Sequence, residues 1–127
     1  MTNKDLVRNF LQQEGYKFEE TGDVLHFKAQ GMNLICEASE RDNMFVRVMA
    51  PVIYSLSDNS AVSREKVLDA CNHLVERVKT LKAYIDRDGD VMLAVELFIS
   101  EQTPDLNAVL ERAIAVLRRG RYEFANK

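Results

Sequence analysis

Between Ser63 and Leu81 the apolar residues Val67, Cys71, Leu74, Val78 and Leu81 recur at steps of four and three. Residues at that spacing stack on one face of a helix, so the pattern predicts a long amphipathic helix. Ala70 and Val75 widen the stripe, while Arg64, Glu65, Asp69, Asn72, His73, Glu76, Arg77 and Lys79 take the solvent side. Directly after it come two apolar strands, Leu81–Asp86 and Val91–Ile99, around a turn at Asp88-Gly89. A striped helix and a strand pair this apolar must bury their greasy surfaces against other elements, which restricts the chain to an α+β fold.

The hairpin register follows from which loop keeps like faces together. A two-residue loop at Asp88-Gly89 sets Leu81 opposite Glu96, and one at Arg87-Asp88 also splits the apolar set. A three-residue loop, Arg87-Asp88-Gly89, pairs Ile85 with Val91, Ala83 with Leu93 and Leu81 with Val95. It is a type I turn closed by a left-handed residue, a position that suits Gly89.

The same reasoning covers the first half. Thr2, with Asp5 three residues on, reads as a capped helix start, and Leu6, Val7, Phe10 and Leu11 form its stripe up to a stop at Gly15. The period then changes to two. A short strand is expected over Tyr16–Glu20, then Val24–Ala29 and Met32–Ala38 joined at Gln30-Gly31. That turn pairs Leu25 with Cys36, Phe27 with Leu34 and Ala29 with Met32, so both apolar sets share one face. After a polar turn at Glu40–Asn43, Met44, Val46 and Val48 are expected to point inward. Pro51 lacks an N–H for the ladder, which makes Val52–Leu56 an edge strand or an extended exit. Ser57–Ala61 is the expected loop into the long helix. Thr103-Pro104-Asp105 is expected to start a last helix striped by Leu106, Val109, Leu110, Ala113, Ile114 and Leu117, with Arg118, Arg119 and Arg121 at its negative end around a stop at Gly120.

No repeat, linker or low-complexity segment divides residues 1–127, which reads as a single α+β domain. The net charge of −3 counts against a nucleic-acid partner. No apolar run approaches the ~20 residues of a membrane span, and no signal-peptide core follows Met1. Two cysteines are too few for a disulfide scaffold, so the expected compartment is the cytoplasm.

The candidate reactive sites are weak. Asp86, Asp88 and Asp90 have carboxylate spacing, but a calcium loop of that type wants glycine at position 91 and an acid at 97, where Val91 and Leu97 stand. His26, His73, Cys36 and Cys71 fit no zinc spacing, and both thiols fall on inward positions. No glycine-rich phosphate loop is present. No catalytic residue, metal or cofactor is assigned, and a small-molecule ligand is not expected. The alternative is a sensor or small enzyme with a cleft between sheet and helices, using His26, His73 and nearby carboxylates.

The outer sheet face says more. Alternation places Ile35, Phe45, Met49, Tyr84, Met92 and Phe98 there, interspersed with His26, Lys28, Glu37, Arg47, Lys82 and Glu96. A face left wholly to water seldom carries so many large apolar groups. Ile35, Phe45, Arg47, Met49, Tyr84, Met92 and Phe98 are therefore the expected partner-binding residues, unless helices of the same chain cover them.

The element order is α-β-β-β(-β)-α-β-β-α, an antiparallel sheet with helices packed on one face. With Asn72 and Leu74 in the long helix and the Lys82–Asp86, Asp88-Gly89, Val91 hairpin, the chain resembles the YbjN-like family, bacterial proteins described as sensory transduction regulators. The resemblance implies a type III secretion chaperone-like fold, often a homodimer, acting through protein contacts with no established reaction. The expected function is a non-catalytic, chaperone-like or regulatory binding module whose partner is another protein or a second copy.

Overall fold

A computed structural model of the chain describes residues 1–59 and 61–126; Ser60, within the expected Ser57–Ala61 loop, and Lys127 lie outside the described residues. The elements are α1 (Asn3–Gln13), β1 (Phe18–Thr21), β2 (Val24–Ala29), β3 (Met32–Glu37), β4 (Phe45–Ser55), α2 (Arg64–Arg77), β5 (Leu81–Ile85), β6 (Asp90–Phe98) and α3 (Leu106–Ala125). The strands form one antiparallel six-stranded sheet in the order β1-β2-β3-β4-β6-β5.

Both hairpin registers come from matching apolar faces. Leu25, Phe27 and Ala29 stand opposite Cys36, Leu34 and Met32, and Gln30 (φ 54°) and Gly31 (φ 78°) supply the two left-handed residues of a two-residue turn. Ile85, Ala83 and Leu81 stand opposite Val91, Leu93 and Val95, with Gly89 N–H donating to the Asp86 carbonyl at 3.1 Å. The inner face they build packs on the helices. Val7, Phe10 and Leu11 of α1, Leu74 of α2 and Leu110, Ile114 and Leu117 of α3 form one buried cluster with Leu25, Phe27, Leu34, Val46, Val48, Leu93 and Val95. Val67 and Cys71 of α2 bury against Val91 in a second, smaller cluster.

Several expectations need correction. The long helix ends a turn early: Val78 already has extended dihedrals (φ −106°, ψ 115°), and Thr80 at φ 66° turns the chain so that Leu81 opens β5. Val75, expected to widen the stripe, is exposed. The first strand is shifted to Phe18–Thr21, and Met44 sits exposed in the turn before β4 instead of inside. Pro51, by contrast, falls at the expected limit: β3 pairs no further along β4 than Met49, the register with β6 shifts between Ala50 and Tyr54, and the end of β4 up to Ser55 is an edge segment that pairs with β6 alone. The missing N–H therefore falls in a bulge. The last helix starts at Leu106, since the Thr103 hydroxyl accepts from the Ser100 N–H (2.9 Å) and Asp105 is left-handed (φ 49°) with no side-chain cap. It then runs through Gly120, which is buried: a Cβ there would lie 2.7 Å from Leu81 Cδ2. That glycine allows close approach of helix to sheet, and the arginines around it are mid-helix rather than at a negative end.

Candidate functional site

With α1, α2 and α3 all packed on the inner face, the outer face is left without a helix among the described residues. The alternation that puts Val46 and Val48 inward puts Phe45, Arg47 and Met49 outward, and β3, β6 and β5 follow in register. One cross-strand row reads Glu37, Arg47, Glu96; the next reads His26, Ile35, Met49, Ala94, Lys82. Phe45 stands opposite Phe98, and Met92 opposite Tyr84. All seven expected partner-binding residues thus share one face.

They are not equally accessible. Met49 (3%) and Ala94 (0%) are buried although neither belongs to a helix-packed cluster, so their neighbours on the same face cover them. Ile35, Phe45, Arg47, Tyr84 and Met92 are half-buried, and Phe98 is 74% exposed. The Phe45 and Phe98 rings meet edge to face at 6.1 Å. Arg47 lies 5.4 Å from the centre of the Phe45 ring, and the Lys82 ammonium 5.2 Å from that of Tyr84. Arg47 joins the rows electrostatically: Nη1 is 3.1 Å from Glu37 and Nη2 is 2.7 Å from Glu96, which Lys82 also approaches at 3.6 Å. The hydrogen bond from Arg47 holds the Glu96 carboxyl below its ordinary pKa, against a smaller opposing effect of burial. Burial would lower the Arg47 pKa, but the hydrogen bond to Glu96 and both carboxylates raise it overall. Tyr84 is pushed up, chiefly by burial.

Toward β1 the outer face holds an open trough of about 760 Å³, lined by Lys17, Glu19, His26, Lys28, Ile35 and Pro51 among others. Lys17, Glu19 and Pro51 were not among the residues expected on the outer face. β1 is too short to show a period, and the bulge that sets Pro51 beside β3 is a tertiary feature.

The other candidate residues are scattered. Between sheet and helices the void lined by Phe10, Leu11, Phe27, Cys36, Leu110 and Ile114 holds only about 10 Å³, no more than one water, and its walls are apolar. A larger recess of about 530 Å³ lies between Tyr54 of β4, Lys66, Val67, Asp69 and Ala70 of α2 and Phe124 of α3, and neither His26 nor His73 lines it. His26 is exposed on the outer face, His73 half-buried on α2, and both thiols are buried on the inner side, each held above its ordinary pKa by burial. The carboxylates of Asp86, Asp88 and Asp90 do converge, with ligand atoms within 4.8 Å of one another. The Asp86 carboxylate there accepts from the N–H groups of Asp88 (2.9 Å) and Asp90 (3.0 Å), which is turn chemistry. Arg118 donates to the side chain of Gln30, and Arg119 lies 3.9 Å from Glu123.

An antiparallel sheet with every helix on one side and a bare, mixed apolar and charged face on the other is an α+β architecture of the type III secretion chaperone-like kind. The chain belongs to the YbjN family, described as "Putative bacterial sensory transduction regulator", which matches residues 3–116. Solved structures agree on the fold. An uncharacterized protein from Methanothermobacter thermautotrophicus superposes with a TM-score of 0.68 at 12% identity, over 96% of this chain and 93% of that one. YbjN from E. coli, described as "a putative transcription regulator", gives 0.68 at 16% identity over 94% and 88%. A chain of the HopA1-SchA chaperone-effector complex gives 0.70 at 9% identity over 98% and 94%. No curated protein matches the chain significantly. No helix among the described residues is long and apolar enough to cross a membrane.

Proposed function

We propose that this protein is a cytoplasmic, non-catalytic regulatory or chaperone-like module, a single domain over residues 1–127, that docks another polypeptide on the outer face of its sheet. The observation that supports this reading is the bare face itself. Phe98 is 74% exposed beside the partly exposed Phe45, Ile35, Met92 and Tyr84, and no helix of the chain covers them among the described residues. Burying those groups would supply most of the affinity, at roughly 25 cal/mol per Å² before ordering costs. Arg47, Lys82 and Glu96 would fix orientation more than strength. Membership of a regulator family supports the role, and so does the occurrence of this fold in a chaperone-effector complex.

The test compares two sets of variants that leave the core intact. Phe98→Asp and Met92→Asp alter the outer face; Leu68→Asp and Val75→Asp alter exposed apolar positions on α2. The outer-face variants are expected to lose bound polypeptide, or self-association, while keeping the wild-type melting temperature. The helical variants are expected to keep both. Loss in the helical set with retention in the outer-face set contradicts the proposal.

A further inference from the structure

The arginines near the end of α3 do not serve the helix terminus, since the helix runs on to Ala125 and its last turn holds no basic residue. Two of them instead frame a recess of about 410 Å³ on the helical side of the molecule, away from the outer sheet face. Ala115, Arg118, Arg119 and Tyr122 line it from the side of α3 opposite the buried Ala113, Ile114, Leu117 and Gly120. Gln30 joins them from the tip of the β2–β3 turn, held at φ 54° in a left-handed position that ordinarily goes to Asn, Asp or Gly. Neither guanidinium is neutralised at close range among the described residues. Arg118 donates to the uncharged Gln30 side chain at 2.9 Å, and Arg119 comes no nearer to Glu123 than 3.9 Å, with its own side chain 57% exposed. A chain whose 20 acidic residues outnumber its 17 basic ones thus carries a local positive spot. Beside it the Tyr122 ring is 68% exposed and meets no other aromatic ring among the described residues.

Each part selects a chemistry. Planar guanidinium forks match phosphate oxygens two at a time. An aromatic face open to water stacks nucleobases, with little regard to which base it is. The Gln30 amide, its oxygen taken by Arg118, still offers its NH2 group to an acceptor. We propose that the recess binds a nucleoside phosphate, with the phosphates on Arg118 and Arg119 and the base on Tyr122. Its volume lies within the range of small-molecule pockets and admits one nucleotide rather than a strand. The net charge of −3 also turns a longer polyanion away. An acidic peptide would use the two guanidiniums but would leave the bare ring without a stacking partner. The site lies apart from the docking face and does not depend on it.

Isothermal titration calorimetry of the full chain tests this with ADP and GDP, beside pyrophosphate, which lacks the base, and a short single-stranded oligonucleotide. ADP or GDP is expected to bind, and pyrophosphate to bind about tenfold more weakly for want of a stacked base. Tyr122→Ala is expected to bring the nucleotide down to the affinity of pyrophosphate while leaving pyrophosphate itself unchanged. Tyr122→Phe keeps the ring and is expected to keep the wild-type affinity. Arg118→Lys and Arg119→Lys keep the charge but lose the fork, and each is expected to weaken the nucleotide about tenfold. All three positions are exposed, so the melting temperature is expected to stay at the wild-type value. No binding of either nucleotide up to about 1 mM overturns the proposal. So does equal affinity for nucleotide and pyrophosphate, a nucleotide affinity indifferent to Tyr122→Ala, or wild-type binding in both lysine variants. An oligonucleotide that binds more tightly than ADP, with a steeper loss of affinity in salt, marks a polyanion surface and overturns it as well.

Discussion

At the scale of single residues, the backbone stores strain where the chain leaves regular geometry. Val52 (φ 49°) and Thr80 (φ 66°) are β-branched residues in the left-handed region, where the Cβ crowds the carbonyl. Such positions cost of order 1–3 kcal/mol each. Val52→Gly removes the clash at a site 52% exposed, and it is expected to raise stability by about 1 kcal/mol despite glycine's usual penalty in a strand. Denaturant midpoints measure this, and a fall in stability would show that the bulge is unstrained. Gly120 behaves in the opposite sense. Gly→Ala in a helix normally gains about 0.5–1 kcal/mol, but here the new methyl meets Leu81 and Leu93, so Gly120→Ala is expected to lose about 1–3 kcal/mol. Tyr16 offers a titration. Its hydroxyl donates to Glu111 at 2.9 Å, and burial together with that carboxylate pushes its pKa up to about 12. A phenol raised from 10.0 to about 12 stabilises the fold fully below the unfolded value and loses that contribution as pH rises through the folded one. Ultraviolet difference absorbance should find Tyr16 and Tyr84 ionising later than an ordinary tyrosine, and Glu111→Gln should bring Tyr16 earlier.

At the scale of elements, the first helix is tied to the sheet by a residue whose role the sequence did not advertise. Asn3 is buried, and its side-chain amide donates to the carbonyls of Asp42 (3.1 Å) and Phe45 (2.6 Å). Removing it orphans acceptors in the turn that leads into β4, so Asn3→Ala is expected to cost about 2 kcal/mol, read from chemical denaturation. The hairpins and the cap of the first helix were legible because their causes are local. Thr2 and Asp5 form the expected reciprocal cap, and Gly31 and Gly89 mark turns whose registers then follow from alternation alone. The misreadings came where tertiary context overrides local preference. Gly120 looked like a helix stop because nothing local reveals Leu81 packed against it. The trough was hidden for the same reason, since Pro51 and Lys17 come to line it only once β1 to β4 pair into one sheet.

At the scale of the whole molecule, the helices consume one sheet face and leave the other, and the residues left there are an organised set rather than a scatter. The outer face was legible as a list of side chains from strand period alone; the charge order across strands was not, because it depends on β4 lying beside β6 and β6 beside β5. Acid should loosen this face. Glu96 is held below its ordinary 4.5 by the Arg47 hydrogen bond, so its contribution is complete above that value and is lost as pH falls through the depressed one. Association through the face is therefore expected to be steady from neutral pH down to about 4.5 and to weaken below it, as light scattering over a pH series would report. The central claim, that another polypeptide chain docks on the outer face, is tested most directly by hydroxyl-radical footprinting in the dissociated and associated states. The account predicts that oxidation of Met92, Phe45 and Phe98 falls on association while Met44 and Tyr122, exposed elsewhere, react as before. Protection of Tyr122 and of Leu68 on the helical side, with Phe98 as reactive as in the dissociated chain, would contradict it.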